Sequence, residues 1–267
     1  MSGDATRQGR FEGQVAMVTG AGSGMGAAVA RQLAAEGARA VVLADVKAVG
    51  AEAVAEGLRA ASVVALDVAD AAAVEAAVEG VVREHGRLDV LVHAAGVDDP
   101  RAKQLIADAL VDGRPAEVTD RLEDADWRRV MRVNLDGTFH VLRAAVRAMR
   151  PEKAGSIVVI GSSSAFDAPV GYPHYAASKA GVHAMCQAVA KEVVPAGIRV
   201  NVVAPGPTDT GMAARTPAAL RSGLADPRVR PYATAEEIAD IALFLASDAA
   251  ANLVGAVLLA NGGRFTA

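Results

Sequence analysis

A single cysteine, Cys186, stands among 267 residues, which excludes a disulfide framework and any zinc site built on several thiolates. It reads as a small buried side chain in a protein of the reducing cytoplasm. No run approaches the roughly 18 apolar residues that span a bilayer. The first ten residues, MSGDATRQGR, lack the apolar core of a secretory leader. No membrane partner is expected. Five Lys and 22 Arg are scattered along a chain of net charge −4, without the basic stripe that neutralises phosphates, so no nucleic acid partner is expected either. Catalytic signatures are missing too. There is no GxSxG elbow, and His85, His93, His140, His174 and His183 show no HExxH or paired spacing. No glycine precedes Lys-Ser or Lys-Thr. A serine hydrolase, a zinc enzyme and a P-loop nucleotidase are disfavoured in turn, and no metal is expected.

The chain has the length and the 52% hydrophobic content for one α/β domain over 1–267, with 1–11 as a flexible N-terminus. Short Val-rich runs alternate with longer Ala-rich segments of helical period, the pattern of a parallel sheet covered by helices on both faces. Strands are predicted at Val15–Thr19, Ala40–Ala44, Ser62–Leu66, Val90–His93, Ser156–Ile160, Arg199–Val203 and Ala256–Leu259. Their continuous apolar character fits burial on both faces. Val74, Val78, Val81 and Val82 recur at helical spacing opposite Glu75, Glu79 and Arg83, which predicts an amphipathic crossover helix. Another helix is expected over Tyr175–Val194, stopped by Pro195 and Gly197. Two stretches break the rhythm and read as surface excursions: Val97–Asp124, with eight acidic against four basic residues, and the proline-bearing Pro207–Tyr232.

The first strand runs into Gly20-Ala-Gly-Ser23-Gly24-Met25-Gly26 and then a helical segment, Ala27–Glu36. Strand, glycine turn and helix in that order let backbone N–H groups approach a pyrophosphate at the positive end of a helix dipole. Asp45 lies 19 positions after Gly26, at the end of the second strand region. A carboxylate there accepts hydrogen bonds from the adenosine ribose and repels the extra phosphate of NADP. NAD is therefore favoured and NADP disfavoured, although Lys47 lies nearby.

Tyr175 and Lys179 are four residues apart on the predicted helix, so their side chains share one face. A free phenol is a poor base near neutrality, but an adjacent ammonium and a positive nicotinamide favour its anion. Tyr175 could then exchange a proton with a substrate oxygen.

With these residues in view, the sequence resembles the short-chain dehydrogenase/reductase family in its compact single-domain form, from about Glu12 to Gly263. The cofactor turn is similar in kind, with Met25 where the general GxGxxG pattern has its last glycine. Asp67-Val68 resembles the pair that lies against adenine. His93-Ala94-Ala-Gly96 stands where the family often has Asn-Asn-Ala-Gly, and Asn261-Gly-Gly where Asp-Gly-Gly is common. Pro205-Gly206, with Thr208 and Thr210, resembles the segment beside the nicotinamide. Asn134, Ser162, Tyr175 and Lys179 fall in the family's catalytic order. The resemblance implies a doubly wound Rossmann-type sheet of about seven strands. It also implies that Ser162 binds the substrate oxygen, with Ser163 and Ser164 as competitors. Lys179 would hold the nicotinamide ribose, and Asn134 would seat a water that links Lys179 to solvent. For His93 a structural imidazole is favoured over a proton shuttle. A homotetramer or homodimer is implied, built on the helices carrying Asn134 and Tyr175, whose face includes Ala176, Ala180 and Ala184.

The expected activity is hydride transfer between NAD(H) and a secondary alcohol or ketone. Reduction of a 3-oxoacyl carrier thioester is its rival within the enzyme class. A dinucleotide sensor or scaffold without turnover and a methyltransferase are the alternatives of other classes.

Overall fold

The computed structural model describes residues 9–223, 230 and 232–267. The seven Val-rich runs become β1 (Val15–Thr19), β2 (Ala40–Asp45), β3 (Ala61–Ala65), β4 (Val90–His93), β5 (Gly155–Ile160), β6 (Ile198–Pro205) and β7 (Val257–Ala260). They form one parallel sheet in the order β3-β2-β1-β4-β5-β6-β7. The strand order reverses between β1 and β4. In such a sheet the crevice beyond the C-terminal strand ends at that point is where ligands bind.

Helices cover both faces. They are α1 (Gly24–Ala35), α2 (Ala48–Ala55), α3 (Ala71–His85), α4 (Pro100–Val111), α5 (Asp124–Met131), α6 (Gly137–Met149), α7 (Ser164–Asp167), α8 (Pro173–Val193), α9 (Gly211–Ala214), α10 (Ala218–Gly223) and α11 (Ala235–Ala246). A π-helical turn, Arg132–Asp136, joins α5 to α6. Alternation along β1 divides the core. Ala16 and Val18 pack with Val29 and Leu33 of α1 and Ile238 and Leu243 of α11. Val15 and Met17 pack on the other side with Val74 and Val78 of α3, Leu142 of α6 and Val182 and Cys186 of α8. Side chains of period two on the strand thus meet stripes of period near 3.6 on the helices.

Local signals set the helix ends. The Asp70 side chain accepts from the Ala72 and Ala73 N–H groups at the start of α3, and Gly86 closes that helix at φ 80°. α8 begins on Pro173, where a missing N–H is tolerated.

The structure corrects two expectations. Of the N-terminal 1–11, residues 1–8 lie outside the described residues, but Phe11 is fully buried and its N–H donates to the Glu36 carbonyl at 3.1 Å. Burial of that aromatic ring fixes the chain at Phe11. The Val97–Asp124 excursion is not merely surface chain. It contains α4, on which Ala102 and Ile106 are buried with Val118 in a third, small core against Tyr172. Asp99 caps α4 through the Arg101 N–H, with Pro100 in the first turn. The other excursion, Pro207–Tyr232, holds α9 and α10, and its residues 224–229 and 231 lie outside the described residues. Among the described residues no helix is long and apolar enough to cross a membrane.

Candidate active site

At the end of β1 the chain turns at Gly20 (φ 67°), packed so closely on β4's exit that a Cβ there would lie 2.7 Å from the Ala95 nitrogen. A Cβ on Gly26 would lie 2.2 Å from the Gly20 carbonyl oxygen. Only glycine lets α1 start this near the turn. Ser23 precedes α1 with extended backbone and no side-chain cap, which leaves its first N–H groups available to an anion. β2 delivers Asp45 to the same place. Its two carboxylate oxygens accept from the Gly22 and Lys47 N–H groups, each at 2.9 Å. From the far side comes Thr210, whose Cγ2 would lie 3.2 Å from a Cβ on Gly24. Met25 faces the adjoining cavity. These residues fit a dinucleotide pyrophosphate and an adenosine ribose.

The other sequence-derived cofactor positions ring this turn less uniformly. Asp67 is exposed after β3, and its side chain accepts from the Ala69 N–H at 2.9 Å. Val68 is buried against Gly137. The Ala94 N–H donates to the Thr19 carbonyl at 3.1 Å. Pro205 and Gly206 line the cavity with Thr208, and the Pro205 carbonyl accepts from the Ser163 N–H at 2.8 Å.

Beyond β5 the chain places Ser162, Ser163 and Ser164 on the cavity wall with Tyr175. Among the three serines, Ser162 is the one whose side chain favours ionisation of the Tyr175 phenol. Its Oγ accepts from the Ser164 N–H at 3.1 Å. Burial raises the Tyr175 phenol above its ordinary value, Ser162 opposes that rise, and the Asp98 charge adds to it. Desolvation is the largest of these influences. Lys179 Nζ stands 5.9 Å from the centre of the Tyr175 ring and donates to the Ile160 carbonyl at 3.0 Å. Burial brings the Lys179 amine down to about 8, so it is chiefly the ammonium at neutral pH.

Asn134 sits within the π-helical turn and is buried. Its amide exchanges two hydrogen bonds with the Val97 backbone, at 2.8 and 3.0 Å, and donates to Ser178 Oγ at 3.2 Å. A Cβ on Gly96 would lie 3.3 Å from Asn134 Oδ1 and 3.6 Å from Lys179 Nζ. Asn134 and Lys179 therefore flank the same small space. The π turn, an irregularity often associated with functional sites, aims Asn134 there.

His93 does not face the cavity. Its Nδ1 is 2.7 Å from Thr19 Oγ1 and its Nε2 is 3.1 Å from Thr138 Oγ1, whose own proton goes to the Asn134 carbonyl at 2.5 Å. Because Thr138 spends its proton there, Nε2 must donate and Nδ1 accept. Burial, with the nearby Lys179 charge, takes this imidazole down to about 3. It is a neutral strut joining β1, β4 and the π turn.

The sequence reading missed His183. It is buried, and its Nε2 accepts from the Ser162 N–H at 3.3 Å. Burial and the Lys179 charge bring its ring down to about 4, so it stays an acceptor at neutral pH. The spacing Tyr175, Lys179, His183 put it on the helix face that carries the chemistry.

The cavity encloses about 500 Å³. Opposite Ser162 and Tyr175, its wall comes from the connections: Asp98 and Lys103 around α4, Tyr172, Met212 of α9, Thr216 and Leu220. Burial raises the Tyr172 phenol to about 12, aided by the charges of Asp98 and Asp99.

A switch-point sheet, a glycine cradle beside an acidic β2 end, and Ser, Tyr and Lys gathered at one wall define a dinucleotide-dependent oxidoreductase. A family profile described as short chain dehydrogenase matches residues 14–221, and the chain belongs to that family. It is similar to 3-oxoacyl-[acyl-carrier-protein] reductase FabG of Escherichia coli (strain K12), 37% identical over 257 residues, covering 96% of this chain and 98% of that one. It is also similar to cis-4-hydroxycyclohexanecarboxylate dehydrogenase of Sinomonas cyclohexanicum, 40% identical over 258 residues, covering 95% and 97%. The crystal structure of gox2181 matches it with a TM-score of 0.83 at 32% identity, covering 95% of this chain and 96% of that one. The chain is an NAD(P)(H)-dependent oxidoreductase of carbonyl and alcohol groups.

Proposed function

We propose that this enzyme transfers hydride between NAD(H) and a secondary alcohol or its ketone, with Tyr175 as the proton-exchanging group. The observation that carries the choice of NAD is Asp45, fixed at the end of β2 by the Gly22 and Lys47 N–H groups. A carboxylate so placed retains lone pairs for ribose hydroxyls and opposes a ribose phosphate. Bound there, the nicotinamide supplies the hydride acceptor or donor. Ser162 would hold the substrate oxygen, Tyr175 would take or give its proton, and Lys179 would support the ribose with its ammonium. Asn134 would keep the space beside Lys179 open to proton exchange.

Reduction of a 3-oxoacyl carrier thioester is the second reading. The relatives' names back it better than they back the first, since that reductase recurs among them. Titration with NADH and NADPH in parallel, followed by nicotinamide fluorescence, separates the two. Tighter NADH binding with turnover of secondary alcohols is expected. Preference for NADPH with reduction of an acetoacetyl thioester would replace the first reading by the second.

Exposed Phe139 on α6 and exposed Ala180 and Ala184 on α8 support a homo-oligomer on this face. Light scattering on the purified protein is expected to give a dimer or tetramer mass.

A further inference from the structure

The substrate wall carries an ion pair that the proposed chemistry leaves unused. Asp98 and Lys103 are more than nine-tenths buried, yet both line the cavity that holds Tyr175 and Ser162. The Lys103 ammonium bonds Asp98 Oδ2, the Met212 carbonyl at 3.3 Å and Thr216 Oγ1 at 3.0 Å. Its three donors are thereby used. Lys103 fastens α4 to the segment after β6 and has nothing left for a ligand.

Asp98 differs. Its second oxygen, Oδ1, makes no hydrogen bond among the described residues, and the Arg215 guanidinium stands 4.0 Å from it, beyond hydrogen-bond range. A buried ion pair returns little net stability compared with apolar side chains of similar size. A wall meant only for an apolar tail would be better built from such side chains. The carboxylate accepts and cannot donate, so its complement is an O–H or N–H group. A ligand ammonium would meet Lys103 at the same carboxylate and be repelled, whereas a neutral hydroxyl would not.

We propose that Asp98 Oδ1 holds a second hydroxyl of the substrate, so that the alcohol taken by this enzyme is a diol or polyol. This rests on the alcohol and ketone reading given above. Asp98 lines the same cavity as Ser162 and Tyr175, so the second hydroxyl and the reacting carbon share one space.

The test measures kcat/KM with NAD for cyclohexanol and for its 1,2-, 1,3- and 1,4-diols, which share one apolar ring. At least one diol is expected to exceed cyclohexanol by about tenfold or more, the scale of one hydrogen bond to a charged group. In the double variant Asp98→Ala/Lys103→Met, which removes both charges together, that ratio is expected to fall by about tenfold. Equal oxidation of cyclohexanol and every diol would overturn the inference and leave the alcohol reading standing. A diol preference that survives in the double variant would also overturn it. Should the double variant fail to fold, the wild-type comparison decides. Oxidation of none of these, with an acetoacetyl thioester reduced instead, would overturn the alcohol reading and the inference together.

Discussion

The two walls of the cavity are made differently. The reaction wall consists of the end of β5 and the first turns of α8, anchored in the main core through Val182 and Cys186. Its polar groups are tied to regular elements, Lys179 to the Ile160 carbonyl and the Ser162 N–H to His183. The substrate wall consists of connections, held by the small core of Ala102, Ile106 and Val118 and by the Asp98–Lys103 pair. A sheet end is rigid and fixes geometry, as proton transfer requires. Connections between strands can change without disturbing the sheet, which is why selectivity concentrates there.

The strongest way to break this division is Tyr175→Phe. It removes the proton-exchanging group and leaves the ring, so turnover is expected to fall by about 10²- to 10⁴-fold while NADH affinity stays close to that of the wild type. Loss of NADH affinity in step with turnover would mean that the two functions are not separate. Because Tyr175 is held protonated above the ordinary phenol range, alcohol oxidation, which needs the base, should speed up as pH rises. Ketone reduction, which needs the acid, should stay nearly level until pH passes the ordinary phenol value. Pre-steady-state rates in both directions between pH 6 and 10 would check the sign.

Next in size is Asp45→Asn. It keeps one carbonyl acceptor for the two neighbouring N–H groups, turns the other oxygen into a donor and removes the charge, so the NADH-over-NADPH binding ratio is expected to drop by about tenfold. An unchanged ratio in the fluorescence titration would remove Asp45 as the selector.

The reaction wall was far more legible in the sequence than the substrate wall. Apolar runs located all seven strands to within two residues, although the edge strands β3 and β7 are only partly buried, and the four-residue spacing of Tyr175 and Lys179 placed them on one helical face. Ser162 needed the resemblance, because three consecutive serines have no periodicity to separate them. α4 escaped because its acidic, proline-bearing surroundings read as loop. Yet Asp99-Pro100 is a cap followed by a first-turn proline, and Ala102, Ile106 and Ala109 keep helical spacing. The π turn at Asn134 had no visible signal, since an extra residue in one helical turn depends on packing rather than composition. The partner of Lys103 across more than a hundred residues, Thr216, is likewise invisible to local pattern.

A milder test addresses the substrate wall alone. Ile106→Ala would empty part of the small core that holds α4 against Tyr172, a change of about 2–4 kcal/mol in a well-packed site. If the walls are independent, KM for the alcohol should rise several-fold while NADH affinity and the global unfolding midpoint change little. A fall in NADH affinity of the same size would show the walls to be one cooperative unit.

The smallest expected effect tests what secures the reaction wall from behind. His93 is neutral in the folded chain, with its ring lowered to about 3, whereas in the unfolded chain it titrates near its ordinary value of about 6.5. Below that value the unfolded state binds the extra proton, so stability is full above it and is lost as pH falls toward 3. From pH 7.5 to 5.5 the loss through His93 is roughly 1.4 kcal/mol, one pKa unit's worth. His183, lowered to about 4, adds a loss of the same sign. Urea unfolding of His93→Asn at both pH values should therefore show a smaller acid-induced loss than the wild type, but not none, because His183 remains. Parallel pH dependences in the two proteins would mean that the bonds from Thr19 and to Thr138 do not hold the imidazole neutral, and that the joint between β1, β4 and the π turn is looser than the reaction wall it supports.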